Sequence, residues 1–325
     1  MGPNGAGKTN LLESLHVGTQ GFSPRTRADA QLVRFGADGA RVVVRGSRGE
    51  VPVETEVVLR HGGGRDVLLN GARVERMDRL RSELATLVFT PDRLAVVKGG
   101  PAVRRAYVDR ALGRLLPAQA GLPAAYGEAV GQRNASLRRV ALGLSSREAL
   151  CPWSKRVADL GAELHGSRRR VLDLLAPAFA ERAGELGLEG AALEYRGDPP
   201  TVAALDARID RDLERGATGL GPHLDDIAVL AGNRELRSFG SQGEQRLAVL
   251  SLLLAEADVL TARHPVPPLL LLDDVLSELD PGRRKILAGR VAGRGQTVIT
   301  STSVQALPAE PAQVVEVTPG RAVLA

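Results

Sequence analysis

The chain of 325 residues carries a single cysteine, Cys151. No internal disulfide is open to it, so a reducing, cytoplasmic setting is expected and Cys151 is read as structural. No apolar run approaches the ~20 residues that a membrane span needs, so no membrane partner is expected. No signal peptide is expected, since Lys8 and a glycine-rich loop fill the region where one would lie. Internal repeats and low-complexity tracts are lacking. No glutamine occurs between Gln31 and Gln119. What remains is ordinary for a globular protein, with 43% hydrophobic and 25% charged residues. The length allows two domains or one with a large insertion. A net charge of +5 tilts modestly toward polyanionic partners.

The most informative stretch is Gly2-Pro3-Asn4-Gly5-Ala6-Gly7-Lys8-Thr9, followed by Asn10. It fits G-x-x-x-x-G-K-[ST], the phosphate-binding loop of nucleotide triphosphatases. Its glycines let backbone N–H groups turn inward on phosphate oxygens. Lys8 brings charge to the β- and γ-phosphates, and the Thr9 hydroxyl can ligate Mg²⁺. A helix expected from about Thr9, with Leu11, Leu12 and Leu15 on it, aims its positive end at the same anion. Such a loop normally follows a buried strand, and here only Met1 precedes it. The composition, rich in Ala, Arg, Gly, Val and Leu, suggests a GC-rich genome in which an internal GTG codon was taken as the start. An upstream in-frame segment of roughly two or three strands, at about 5–6 residues each, is therefore expected.

Residues 41–44 and 51–59 read as strands, the second alternating. Residues 67–74 carry an Asn70-Gly71 hairpin signal, and 84–89 form another short strand. From 102 to about 186 the composition turns helical, divided into about three helices near 113–123 and at Cys151-Pro152. Its arginines Arg104, Arg105, Arg133, Arg138, Arg139, Arg168, Arg169 and Arg170 are candidates for a DNA backbone, a solvated helix face being the plainer alternative. One amphipathic helix is expected over 205–215 and a strand over 227–230. A helix over 244–258, a buried strand over 269–272, a helix over 283–291 and a strand over 297–300 follow. Alternation of strands and helices predicts α/β layering on a mainly parallel sheet. His223, beside Asp225 and Asp226, is taken as structural rather than as a metal ligand.

Leu269-Leu270-Leu271-Leu272-Asp273-Asp274 is an apolar strand ending in two acids. A buried strand delivers carboxylates to the sheet edge where nucleotides bind. Asp273 is the expected Mg²⁺ ligand, with Thr9, and Asp274 the residue that orients or activates the attacking water. Asp274 is one methylene shorter than the glutamate common in such ATPases, so slow turnover is expected. Between the two motifs lies Phe239-Gly240-Ser241-Gln242-Gly243-Glu244-Gln245-Arg246, similar to the signature motif of the ABC ATPase superfamily. Ser277-Glu278-Leu279-Asp280 resembles the D-loop of that superfamily. In such composite sites one protomer offers its phosphate loop and the other the start of its signature helix, so Ser241, Gln242 and Gly243 are expected to meet a partner's ATP.

Three further stretches resemble the RecF family within this superfamily. They are Pro91-Asp92-Arg93-Leu94 with Val97-Lys98-Gly99-Gly100-Pro101 and Arg104-Arg105-Ala106-Tyr107-Val108-Asp109; Gly221-Pro222-His223-Leu224-Asp225-Asp226; and Ser241-Gln242-Gly243-Glu244-Gln245-Arg246. The resemblance runs from Gly2 to about Thr302. It implies an ABC-type head over residues 1–100 and 200–325, an inserted helical lobe over 101–199, and two strands ahead of the phosphate loop. It also implies a weak, switch-type ATPase of DNA repair that binds ATP and Mg²⁺, forms an ATP-dependent homodimer on duplex DNA near single-strand gaps, and works with RecR and the RecO pathway to load RecA. Leu224 departs from the family's usual arginine, and Thr300-Ser301-Thr302 stand where other heads carry a switch histidine. A transporter ATPase subunit would share the nucleotide motifs but should also carry a glutamine loop and that histidine. A chromosome-structuring SMC protein would need a far longer coiled coil than residues 102–186 supply. A scaffold without ATPase activity is the remaining alternative.

Overall fold

The computed structural model describes every residue except Arg27, Arg76 and Pro308. The chain divides into two units, Met1–Leu94 with Glu181–Leu188 and Gln242–Ala325, and Ala95–Ala180 with Glu189–Ser241.

In the first unit the central sheet is parallel, with Leu269–Leu272 between Thr86–Phe89 and Thr297–Ile299. The middle strand is four leucines because both of its faces are covered, as parallel strands require. Leu12, Val88 and Leu271 form one core cluster there, so the helix Lys8–Gln20 packs its apolar side against the sheet. The same helix buries Val17 in a second cluster with Val57, Leu59 and Val67. These last three belong to a four-stranded antiparallel sheet of Gly39–Arg48, Val51–Arg60, Arg65–Leu69 and Ala72–Arg73. In the second strand Thr55, Val57 and Leu59 face inward, while Glu54 and Glu56 on the opposite face pair with Arg45 and Arg41. This is the period-two pattern of a half-buried strand. The Asn70-Gly71 turn has positive φ at both residues, 50° and 77°, the geometry for which Asn-Gly is suited. Gly18 lets the helix approach this sheet closely, since a Cβ there would stand 2.3 Å from Val44.

The expected α/β head with a parallel sheet is thus present, accompanied by an antiparallel sheet. The helix over 244–258 extends to Gln242–Arg263, and Pro281–Val291 starts at Pro281 because Asp280 caps it, accepting from the Arg283 N–H at 2.9 Å.

The second unit holds the helices Pro101–Leu115 and Leu122–Ala141 and most of Cys151–Glu185. Pro117 and the left-handed Gly143 lie in the breaks between them. It also holds an antiparallel sheet of Ala192–Arg196, Asp226–Ala231 and Arg234–Glu235. Residues 200–241, assigned to the head by sequence, therefore cluster with the helices. Their strand pairs with Ala192–Arg196 of the same unit rather than joining the parallel sheet. The single helix expected over 205–215 is two, Val202–Asp206 and Ile209–Arg215, because Arg208 leaves helical geometry at ψ 1°. Thr201 caps the first and the left-handed Gly216 ends the second. Among the described residues no helix is long and apolar enough to cross a membrane.

Candidate nucleotide-binding site

The phosphate loop closes on itself before the helix begins. The Ala6 N–H donates to Pro3 O at 3.3 Å, and Gly7, with φ 102°, caps the helix at a backbone angle that a side chain would strain. Asn4 and Gly5 are exposed at the rim, while Ala6 is buried beneath them. The first N–H groups of the helix have no carbonyl within it to bond, which is the basis of an anion site. Lys8 reaches back across the loop and donates to Gly2 O at 2.8 Å and Pro3 O at 2.9 Å. An ammonium has three protons, so one remains for a further acceptor.

Thr9 and Asp273 are brought together from opposite ends of the sequence. The Thr9 hydroxyl lies 3.1 Å and 3.0 Å from the two oxygens of Asp273. Asp273 is buried at the end of the leucine strand, and its N–H donates to Phe89 O at 2.9 Å, continuing the parallel ladder. Asp274 follows in the left-handed region at φ 50°, ψ 26°, with an exposed side chain. Aspartate tolerates that conformation better than most residues, which offers a local reason for the short acid here. A hydroxyl beside a carboxylate is a hard oxygen pair of the kind Mg²⁺ takes, the remaining ligands coming from phosphate and water. The residues present therefore fit that ion. Among the described residues no group of three or more His, Cys, Asp or Glu forms a separate metal cluster.

Gln242 and Gly243 are exposed at the start of the helix Gln242–Arg263, directly after the exposed Ser241. Along that helix Arg246 forms an ion pair with Glu278, which ties it to the segment following the acids. The sequence does not announce this pair, and it marks Thr300 only as standing where other heads carry a switch histidine, whereas its hydroxyl bonds Asp273 and the backbone of Asp274. The available signal was position: Thr300 directly follows the strand beside the acidic one.

The second unit absorbs several residues offered as DNA contacts. Arg104, Arg133 and Arg168 are 2%, 0% and 4% exposed. Arg104 grips Asp226 through two bonds of 2.7 Å and 2.8 Å and also donates to Gly99 O. Arg168 grips Asp109 at 2.8 Å and 2.9 Å and donates to Pro222 O. Arg133 donates to Asp212 and Thr218. Arg105 donates to Asp225 O at 2.6 Å. A buried guanidinium needs such partners, so the first three are structural and unavailable to phosphates. Arg138, Arg139, Arg169 and Arg170 are exposed.

The Gly221–Asp226 stretch sits inside this network. His223 lies 2.8 Å from the Tyr126 hydroxyl through Nδ1 and 2.9 Å from Thr218 O through Nε2, so a neutral ring with its proton on Nε2 satisfies both partners. Burial holds its pKa below the ordinary histidine value. Tyr195 donates to Asp225 at 2.6 Å, and burial raises the pKa of that phenol. Burial opposes ionisation of Asp226, yet Arg104 and the Ile227 N–H hold its carboxyl below the usual range. Both ring nitrogens of His223 are thus engaged within this unit, and Leu224 is 56% exposed.

The layered sheet, the loop and the acids together define an ABC-type P-loop ATPase head. A family model described as RecF/RecN/SMC N terminal domain matches residues 1–322. The DNA replication and repair protein RecF of Myxococcus xanthus (strain DK1622) is 36% identical, over 93% of this chain and 83% of its own. The protein of the same name from Anaeromyxobacter sp. (strain K) is 39% identical, over 93% and 85%. A solved structure of the recombination mediator protein RecF-ATP in the RecFOR pathway superposes with a TM-score of 0.90 at 24% identity, covering 100% of this chain and 90% of that one. An SmcHead bound to the C-winged helix domain of ScpA gives a TM-score of 0.56 at 16% identity, covering 100% and 87%. The chain belongs to the RecF family of the RecF/RecN/SMC ATPase heads.

Proposed function

We propose that this chain is an ATP-dependent DNA-binding protein of recombinational DNA repair. Its ATP-bound form pairs with a second copy of itself on duplex DNA near single-strand gaps, and slow hydrolysis resets it. The observation that carries this reading is the meeting of Thr9 with Asp273 at 3.0 Å, which joins two nucleotide motifs across the sheet. Its relatives, DNA replication and repair proteins, supply the repair context, and the solved RecF-ATP structure supplies the nucleotide and the RecFOR pathway. The arms of the pathway expected as partners are RecR and RecO, which assist RecA loading.

In this reading Gly2 to Asn10 cradle the phosphates through backbone N–H groups, and Lys8 turns its remaining proton to them. Thr9 and Asp273 hold Mg²⁺, which supplies charge neutralisation of phosphate oxygens. Asp274 orients the water and takes its proton. Ser241, Gln242 and Gly243 present the start of their helix to the nucleotide of the second copy. Exposed arginines such as Arg139 and Arg169 supply the contacts to DNA phosphates.

The test is ATP-dependent self-association followed by light scattering. The native chain is expected to pair at saturating ATP and Lys8→Ala to stay monomeric. A Lys8→Ala dimer under the same conditions would remove Lys8 from the switch.

A further inference from the structure

Resting on the ATPase site proposed above, we infer that Thr300 is a positioning residue that sets both acids of that site. Thr300 follows the strand Thr297–Ile299, and its N–H donates to Leu272 O at 3.0 Å, so its backbone is an extension of the parallel ladder. Its side chain is buried beside the acids, 7% exposed. The hydroxyl donates to Asp273 Oδ1 at 2.8 Å and accepts from the Asp274 N–H at 2.9 Å. A hydroxyl has one proton, so the two bonds together determine its orientation: the proton goes to the carboxylate and the oxygen lone pair faces the amide.

Each bond has a separate consequence. The bond to Oδ1 restrains the rotamer of Asp273, whose Oδ1 and Oδ2 lie 3.1 Å and 3.0 Å from the Thr9 hydroxyl. Thr9 by itself does not distinguish the two carboxylate oxygens, because it lies at nearly the same distance from both. The bond from the Asp274 amide holds a non-glycine residue in the left-handed turn, φ 50°, that directs its carboxylate outward. Outer partners of this kind orient metal ligands, and losing one typically costs about 10–100-fold in metal affinity or activity. Valine has the shape of threonine without its hydroxyl, and serine keeps the hydroxyl without the methyl, so the two substitutions separate bonding from packing.

The experiment titrates Mg²⁺ against binding of a fluorescent ATP analogue, with a parallel series in EDTA and single-turnover hydrolysis. Thr300→Val is expected to raise the half-saturating Mg²⁺ concentration by about 10–100-fold and to slow turnover over a similar range. Nucleotide affinity in EDTA should stay at the native value, and Thr300→Ser should restore both properties. If Thr300→Val loses its native circular dichroism, Thr300→Ala carries the same comparison. Native Mg²⁺ half-saturation in the hydroxyl-less variant, or Thr300→Ser as impaired as Thr300→Val, overturns the positioning role while leaving the site intact. A native chain whose nucleotide binding is indifferent to Mg²⁺ overturns the underlying site, and the role of Thr300 with it.

Discussion

Thr9 and Asp273 are separated by 264 residues in sequence and by 3.0 Å in space. Both are legible in the sequence because their motifs specify chemistry one residue at a time: a hydroxyl after the loop lysine, a carboxylate at the end of an apolar strand. Thr300 is not legible in the same way. A lone threonine after a strand has many roles, and only the two bonds of its hydroxyl select one. Asp274 invites a direct test at this scale. Its carboxylate is a methylene short of the reach common in such sites, so Asp274→Glu should raise the single-turnover rate roughly tenfold, equivalent to about 1.4 kcal/mol of barrier. A fall in that rate would contradict the proposal that reach limits turnover. The Lys8→Ala variant should lose about 10–100-fold in ATP-analogue affinity, since a charged hydrogen bond contributes about 1.5–3 kcal/mol; native affinity in equilibrium titration would contradict it.

Among the elements, the strands and long helices follow the sequence closely because their periodicity is enforced by burial. The four leucines of residues 269–272 and the alternation of Thr55, Val57 and Leu59 allow little else. The differences fall where a local backbone choice decides the outcome, as at Arg208, or where pairing is between distant segments, as between Ala192–Arg196 and Asp226–Ala231. The buried arginines escape a sequence reading for a related reason: a helical sequence does not announce which cations have a carboxylate waiting inside. Arg133 and Asp212, 0% and 1% exposed, make the plainest case. Asp212→Ala leaves a buried guanidinium without its counter-charge and should cost about 3–5 kcal/mol in urea denaturation; a loss below about 1 kcal/mol would be typical of an exposed pair and would contradict it. His223 gives the same unit a pH dependence. Its folded pKa is depressed by burial, whereas the unfolded imidazole takes its proton near about pH 6.5. The unfolded chain therefore binds more protons as pH drops, so the contribution of His223 is present above that value and declines below it. From about pH 7.5 to about pH 5.5 the native chain should lose more stability than His223→Gln; equal losses would show that the ring carries no linkage.

Across the whole molecule, the family is readable from the order of its motifs, and the division of the chain is not. The head was expected to resume at residue 200, yet residues 189–241 cluster with the helices, because contacts such as Arg104 with Asp226 and Tyr126 with His223 bind that segment to its own unit. The net charge of +5 and the exposed Arg138, Arg139, Arg169 and Arg170 are what a phosphate-binding surface needs. They do not by themselves link DNA to ATP, and that link is the central claim. It is tested most directly by fluorescence anisotropy of gapped and intact DNA duplexes titrated with the protein under ATP, ADP and no nucleotide, over a range of salt. Binding that requires ATP, prefers the gapped duplex and weakens steeply with salt is the predicted result. Binding of equal strength in all three nucleotide conditions would contradict the account.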